Sequence, residues 1–230
     1  MNKNTSWPNK KKISVIVDPP GWFTSYAEDI VTKLRESGHD ARLVDRQAEA
    51  IKGDIAFYLS CTGLTPAEGL ARNDWNIVVH ASDLPQGRGF SPLVWQVLEG
   101  RNDIPLSMIL MADAADAGDI LMQRSIAFSG HELNDEMRDT MGRAISEMCV
   151  DLANSHEPPK LRAQEGIPSW YPRRKSEDSQ LDPHRTIAEQ FALLRVVDND
   201  RYPAFFDLHG QRYTLKIERT GAIGGSDAQD

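Results

Sequence analysis

Hydrophobic and polar positions divide the first 155 residues into two kinds of segment. Short apolar, often β-branched runs predict buried strands over residues 13–18, 41–44, 54–59, 76–79 and 104–111. Apolar residues at helical spacing predict helices over residues 26–36, 91–100 and 132–154. Strands that alternate with helices in this way predict an α/β fold, with a mostly parallel sheet and helices on both faces.

The pattern changes near residue 155, where Glu157-Pro158-Pro159 marks a boundary. Beyond it the sequence predicts a short helix over 186–195 and a β-hairpin of 203–208 with 211–218. We therefore predict a domain over residues 1–155, a small C-terminal extension with a helix and a hairpin over 156–220, and a disordered tail over 221–230.

Composition narrows the class of protein. The 230 residues include 26 Lys and Arg and 34 Asp and Glu, a net charge of −8, which argues against nucleic acid as a partner. The two cysteines form neither a disulfide framework nor a CxxC zinc motif. No apolar run approaches the ~20 residues that span a bilayer, and the polar N-terminal stretch lacks the apolar segment of a signal peptide. We expect a cytoplasmic protein with no membrane partner.

Two loops follow predicted strands and contain the candidate chemistry. The first begins at His80 and runs through Pro85, Gly87 and Gly89 into a helix; it matches no dinucleotide, serine-hydrolase or zinc-deaminase motif. The second, residues 112–120, has three aspartates among small residues at a spacing unlike that of an EF-hand, so no metal is predicted. Ligands of such sheets bind where strands end. The alternatives are that the first loop is an ordinary connection between a strand and a helix, and that the second is a solvated acidic turn.

Taken in order, these segments resemble the folate-dependent formyltransferases. The resemblance rests on His80, Ser82, Leu84-Pro85 and Arg88-Gly89, then a helix and a strand, then Asp116-Ala117-Gly118 about 36 residues after His80. A second block is similar to the segment after the catalytic domain of amino-sugar N-formyltransferases, which are related to methionyl-tRNA formyltransferase. It comprises Trp170-Tyr171-Pro172-Arg173-Arg174, Glu177-Asp178-Ser179-Gln180-Leu181-Asp182, Leu194-Arg195 and Tyr202-Pro203-Ala204-Phe205. Together the blocks cover roughly residues 75–125 and 168–218.

The resemblance implies a fold, an activity and a catalytic set. Residues 1–155 would form a Rossmann-like catalytic domain that transfers a formyl group from 10-formyltetrahydrofolate to the primary amine of an amino-sugar nucleotide, in a surface-glycan or nonulosonic-acid pathway. His80 would donate to the developing oxyanion and Asp116 would help to remove the amine proton. The family's third residue, an Asn two positions before the His, is replaced here by Val78. Asn76 is therefore the third catalytic candidate, although only a bulge would bring it near His80.

The same resemblance implies the binding residues. For the folate they are Leu84, Pro85, Arg88, Ala112, Asp113, Ala114 and Ala115. For the acceptor they are Ser82, Trp170, Tyr171, Arg173 and Arg174, with stacking on a nucleobase and a clamp on a diphosphate as their roles. The alternative is that Trp170 and Tyr171 pack in the seam between the domains and that the two arginines are solvated.

Three further readings stay open. The acceptor could be a hydroxyornithine-type amine of siderophore synthesis, or the chain could be a non-catalytic folate- or nucleotide-binding relative, as Val78 suggests. The acidic charge and the lack of a large C-terminal domain disfavour formylation of tRNA. A homodimer formed through the hairpin and its preceding helix is a further expectation.

Overall fold

The computed structural model describes residues 7–63 and 65–222. Ten strands and five α-helices are assigned within them. The strands are β1 (Lys12–Ile16), β2 (Asp40–Val44), β3 (Gly53–Tyr58), β4 (Asn73–His80), β5 (Arg88–Gly89), β6 (Asp103–Leu110), β7 (Ile120–Ala127), β8 (Trp170–Tyr171), β9 (Ala204–Leu208) and β10 (Gln211–Leu215). The helices are α1 (Thr24–Glu36), α2 (Ala67–Leu70), α3 (Pro92–Leu98), α4 (Asn134–Asn154) and α5 (Phe191–Val196).

Six of the strands form one sheet in the order β2-β1-β3-β4-β6-β7. The first four are parallel, whereas β6 is antiparallel to both β4 and β7. The predicted α/β fold with a mostly parallel sheet is confirmed. The direction of β6 was not predicted, and neither was β7, whose sequence mixes Gln123, Arg124 and Ser125 with apolar residues and lies at the sheet edge.

The two faces of the sheet differ in how they are covered. Alternate residues point to opposite faces, so Ile13 and Val15 lie on one side and Ser14 and Ile16 on the other. The first face packs against α1, α3 and α4 in one continuous core. The second is covered by shorter pieces: the 3₁₀ turn Gln47–Glu49 and the residues after it, and α2. His80 lies on this second face because it shares the phase of Val78 along β4.

The C-terminal extension packs onto the end of the main core. Helix α5 is shorter than predicted, and a 3₁₀ turn at Ala188–Gln190 precedes it. The hairpin pairs Leu208 with Gln211 across the predicted turn. Arg195 is buried between the two regions, where it donates to the carbonyl oxygen of Glu132 at 3.1 Å and to Asn102 Oδ1 at 2.9 Å. The division of the chain at residue 155 stays a prediction.

The structure describes little of the two ends of the chain. The tail predicted to be disordered, 221–230, lies almost wholly outside the described residues, as do residues 1–6.

None of the helices in the described ranges is long and apolar enough to cross a bilayer. Within residues 7–63 and 65–222, no group of three or more His, Cys, Asp or Glu side chains is arranged to hold a metal ion.

Candidate active site

His80 ends β4 with its imidazole ring held between two acceptors. Its Nε2 lies 2.8 Å from the carbonyl oxygen of Gly87, and its Nδ1 lies 3.5 Å from Oδ1 of Asp116. The first contact is at hydrogen-bond distance, and the second is a longer contact between an imidazole nitrogen and a carboxylate oxygen. The side chains of His80 and Asp116 keep 10% and 18% of their surface exposed. The pair is therefore shielded from bulk water without being closed off from the surface.

Asp116 reaches His80 through a loop that folds back, not through a strand end beside β4. Because β6 is antiparallel to β4, it leaves the sheet next to Asn76, where the N–H of Met111 donates to the Asn76 carbonyl oxygen at 2.8 Å. The chain then turns at Asp116, whose φ of 53° lies in the left-handed region. Its Oδ2 accepts the N–H of Gly89 at 2.9 Å. His80 thus comes directly from the end of a strand, whereas Asp116 reaches the site through the returning loop.

A short parallel ribbon holds the loop after His80 in place. Strand β5 pairs with β8, and the N–H groups of Arg88 and Phe90 donate to the carbonyl oxygens of Ser169 and Tyr171. Ser169 also accepts the N–H of Gly87 on its hydroxyl at 2.8 Å. Gly89 has a φ of 98°, and a Cβ there would lie 2.5 Å from the Tyr171 carbonyl oxygen, so only glycine fits. The C-terminal extension thus shapes the site.

Most residues between His80 and the ribbon are buried and form the floor of the site, whereas Asp83 and Gln86 are exposed. Leu84 packs with Ile109, Ile120 and the partly buried Val78. Pro85 is buried as well. Ser82 is 2% exposed, and its hydroxyl has no hydrogen-bond partner among the described residues. An unpartnered buried hydroxyl is costly unless a ligand uses it, which makes Ser82 a candidate donor to a bound molecule.

The structure does not bring Asn76 to the pair. Strand β4 pairs regularly with β6 from Ile77 to His80, so no bulge shortens the roughly 13 Å that four extended residues span. The Asn76 amide donates instead to the carbonyl oxygen of Leu70 at 2.8 Å. Its predicted catalytic role therefore has no geometric support. Val78, at the family's Asn position, packs in an apolar cluster and supplies no donor.

The predicted folate loop forms an exposed rim beside Asp116. Ala112, Asp113, Ala114 and Ala115 are all exposed. The Nη2 of Arg88 donates to Gln164 Oε1 at 2.6 Å, and its guanidinium carbon lies 5.7 Å from the centre of the Trp170 ring. Small side chains at the rim leave the main chain open to a flat molecule.

The five predicted acceptor residues divide into exposed and structural groups. Trp170 is 57% exposed, and Arg173 is exposed with its guanidinium 5.5 Å from the Phe90 ring centre. Tyr171 stacks on Trp95 and donates to Glu99 at 2.8 Å. Burial and then that hydrogen bond raise the pKa of Tyr171 to about 12. Ser82 belongs to the floor described above.

Arg174 is not free to clamp a diphosphate. Its Nη2 donates to the Asp178 carbonyl oxygen at 2.9 Å and to Ser179 Oγ at 3.1 Å, and burial lowers the pKa of its guanidinium. Arg173, in contrast, is exposed. Arg174 is therefore held in the structure instead of being available to a ligand, and the role of Arg173 stays a prediction.

Sequence reasoning missed two residues that hold the site together. Ser169 fixes Gly87, and Gln164 bonds both to Arg88 and to the carbonyl oxygens of Asp116 and Gly118. Both lie in the irregular segment between α4 and β8, where an isolated Ser or Gln carries no periodic or motif signal. Only the three-dimensional path of the extension reveals them.

The chain has the α/β fold of solved formyltransferase structures, and part of it is similar to a curated formyltransferase. No protein-family model matches the chain. Among curated proteins, methionyl-tRNA formyltransferase of Pelotomaculum thermopropionicum is 30% identical over 122 residues, which are 52% of this chain and 39% of that protein. The chain therefore matches well under half of that relative's length.

Solved structures show the same fold over nearly the whole chain. Methionyl-tRNA formyltransferase from Clostridium thermocellum has a TM-score of 0.77 at 22% identity, covering 93% of this chain and 95% of that one. HypX from Aquifex aeolicus in complex with tetrahydrofolic acid has a TM-score of 0.73 at 16% identity, and the match covers 90% of this chain and 37% of that one. A sugar N-formyltransferase from Shewanella has a TM-score of 0.65 at 14% identity, and the match covers 92% of this chain and 99% of that one. The resemblance expected from the sequence is confirmed at the level of the fold.

Proposed function

We propose that this chain transfers a formyl group from 10-formyltetrahydrofolate to the primary amine of an amino-sugar nucleotide. The observation that carries the proposal is the pairing of His80 and Asp116, 3.5 Å apart, in a partly open site of a formyltransferase fold. An imidazole N–H and a carboxylate on one reacting centre supply the two functions that acyl transfer to an amine requires, a donor to an oxyanion and an acceptor for a proton.

In the proposed reaction the amine nitrogen forms a bond to the formyl carbon while the bond from that carbon to the folate nitrogen breaks. Negative charge develops on the formyl oxygen, and an N–H of His80 stabilises it. Asp116 accepts the proton that the amine loses, directly or through water, and the departing folate nitrogen takes up a proton. Because His80 Nε2 lies at hydrogen-bond distance from Gly87, the formyl oxygen has to replace the Gly87 carbonyl at that nitrogen.

The donor site proposed for the folate lies between the exposed rim of residues 112–115 and the apolar floor of Leu84 and Pro85. A flat ring system suits small residues with accessible main-chain groups on one side and an apolar wall on the other. The unpartnered hydroxyl of Ser82 offers a hydrogen-bond donor at the base of this space. The tetrahydrofolic acid complex of HypX, which shares the fold, supports a folate as the donor.

The acceptor proposed is a nucleotide sugar because aromatic and cationic groups meet at the mouth of the site. Trp170 is paired with Arg88 across the two strands of the ribbon, and Phe90 is paired with Arg173 just beyond them. Exposed aromatic rings suit a nucleobase and forked guanidinium donors suit a diphosphate. A hydroxyornithine-type amine presents neither group.

Formylation of an aminoacyl-tRNA is the second candidate. The 30% identity to a methionyl-tRNA formyltransferase over 122 residues favours it. The net charge of −8 opposes it, because binding to tRNA depends on neutralising phosphates.

The test is an assay with 10-formyltetrahydrofolate and four acceptors: UDP-linked amino sugars, dTDP-linked amino sugars, N-hydroxyornithine and methionyl-tRNA. Release of tetrahydrofolate and mass spectrometry of the acceptor report transfer. We expect a formylated product with a nucleotide amino sugar and a thermal shift with the matching nucleotide alone. Product with methionyl-tRNA only would reassign the acceptor, and no product with any amine would contradict the enzymatic function.

A further inference from the structure

The two loops of the site are joined by one side chain from the C-terminal extension, Gln164. Its Nε2 lies 2.8 Å from the carbonyl oxygen of Asp116 and 2.8 Å from that of Gly118. Its Oε1 accepts a hydrogen bond from Arg88 at 2.6 Å. Both amide hydrogens thus bind the loop that carries Asp116, and the amide oxygen binds the loop that follows His80.

The backbone around Gln164 is itself anchored to the sheet. Arg162 and Ile120 exchange two main-chain hydrogen bonds of 2.8 and 2.9 Å, which fix the segment at the first residue of β7. Gln164 therefore reaches the site from a fixed base. Without such an anchor, the three hydrogen bonds of Gln164 would also have to offset the conformational entropy lost in ordering the backbone around it.

Asp116 has an unfavourable backbone conformation that a hydrogen bond from Gln164 helps to stabilise. A non-glycine residue with a φ of 53° costs about 1–3 kcal/mol of strain and persists only where its surroundings impose that conformation. Gln164 binds the carbonyl of this very residue, and the carboxylate of the same residue faces His80 and the N–H of Gly89. A shift of the Asp116 main chain would move the carboxylate away from both partners.

We infer that Gln164 is a positioning residue, which acts through Asp116 and Arg88 and makes the catalytic geometry depend on the C-terminal extension. The kinetic part of this inference rests on the proposed function, and the geometric part does not. Gln164 need not touch either substrate, so its loss lowers the turnover number more than it raises the KM for the amine.

Two substitutions separate the contacts that Gln164 makes. Gln164→Met removes all three hydrogen bonds at nearly constant volume. Gln164→Glu keeps an acceptor for Arg88 but has no hydrogens for the carbonyl oxygens of Asp116 and Gly118. Gln180→Glu is the matched control, because Gln180 is exposed on the extension and its amide contacts Asp207 only at 3.4 Å.

The first readout is steady-state kinetics. We expect both Gln164 variants to lose turnover on the order of 10- to 100-fold, the size of a small displacement of a catalytic group. KM should stay nearly unchanged in Gln164→Glu, which keeps the partner of Arg88, and should rise by a smaller factor than the loss of turnover in Gln164→Met, which removes that partner. Gln180→Glu should match the wild-type protein. The second readout needs no turnover: amide hydrogen exchange at Gly89, whose N–H binds Asp116. Exchange there should speed up about 10-fold in both Gln164 variants, the equivalent of one hydrogen bond to a charged group.

Unchanged turnover and unchanged exchange at Gly89 in Gln164→Met would overturn the inference. So would wild-type behaviour of Gln164→Glu, since it would show that the donors to the Asp116 loop are not needed. If the wild-type protein formylates no amine, the proposed function fails, and the exchange at Gly89 still decides whether Gln164 positions Asp116.

Discussion

The two faces of the central sheet are held by different kinds of interaction. On the first face Ile13, Val15 and Ile55 are fully buried in a core shared with three helices. On the second face the polar side chains of Ser14, Asn76, His80 and Ser107 interrupt much smaller apolar clusters, and hydrogen bonds from the C-terminal extension fix the loops. Non-directional burial stabilises the first face, whereas directional bonds set the geometry of the second.

The largest effect on folding should come from the first face. Leu106 is fully buried there, so Leu106→Ala should lower the free energy of unfolding by about 2–5 kcal/mol, through lost burial and the cavity left behind. Urea unfolding measures this loss. Leu161, which is 45% exposed, gives the control: Leu161→Ala should change stability by less than about 0.5 kcal/mol. Equal losses in the two variants would contradict the comparison of the faces.

The largest effect on chemistry should come from the second face. His80→Ala and Asp116→Ala should each lower turnover on the order of 10²- to 10³-fold, the cost of removing one group that stabilises charge in the transition state. Initial rates of tetrahydrofolate release measure the effect, with thermal denaturation to confirm folding. His184→Ala, at an exposed position of the extension, should leave both quantities unchanged. Full activity in either site variant would reject its assigned role.

A matched pair of glycines tests the ribbon that holds the loop. Gly89 and Gly100 both have positive φ, 98° and 85°, so alanine at either position should cost about 1–3 kcal/mol of stability. Only at Gly89 would the new Cβ meet the Tyr171 carbonyl oxygen, whereas Gly100 has nothing within 4 Å. Gly89→Ala should therefore also reduce turnover, on the order of 10-fold or more, and Gly100→Ala should not. Equal turnover in the two variants would mean that the ribbon does not shape the site.

The smallest effect should appear at alkaline pH. Burial and the hydrogen bond to Glu99 raise the pKa of Tyr171 from 10.0 to about 12. Because the folded protein holds this proton more tightly than the unfolded chain, the stabilisation is complete below pH 10 and is lost as the pH rises towards about 12. Tyr171→Phe should make the fall in melting temperature over this interval shallower. Tyr58, whose pKa burial also raises to about 12, should keep some of the slope.

The exposed Tyr213 of the hairpin provides the control for that experiment. Tyr213→Phe should leave the alkaline slope as it is in the unsubstituted protein. An unaltered slope in Tyr171→Phe would show that the hydroxyl of Tyr171 does not stabilise the ribbon.

The sequence was most informative about the first face. Strands such as Ile13–Ile16 and helices such as α4 were predictable because apolar side chains repeat at the period of the element that buries them. Strand β7 was not predicted because it lies at the edge of the sheet and is only partly buried. The ribbon was not predicted because its strands of two residues are too short to show a periodic pattern.

The site was predictable in its chemistry but not in its construction. His80 and Asp116 were identified by a family pattern, and the structure brings them together. The returning loop and the bridge made by Gln164 depend on contacts between residues distant in sequence. For Asn76, the spacing in the sequence predicted the correct face of the sheet but could not predict the hydrogen-bond partner of its side chain. In the structure the Asn76 amide donates to the carbonyl oxygen of Leu70.

The most direct test of the central claim is a crystal structure with 5-formyltetrahydrofolate, a stable analogue of the donor, and a nucleotide. The account predicts a folate ring against residues 112–115, its formyl group within hydrogen-bond reach of the His80 ring and beside the Asp116 carboxylate, and a nucleobase on Trp170. A folate bound elsewhere, with His80 Nε2 still on the Gly87 carbonyl oxygen, would contradict it.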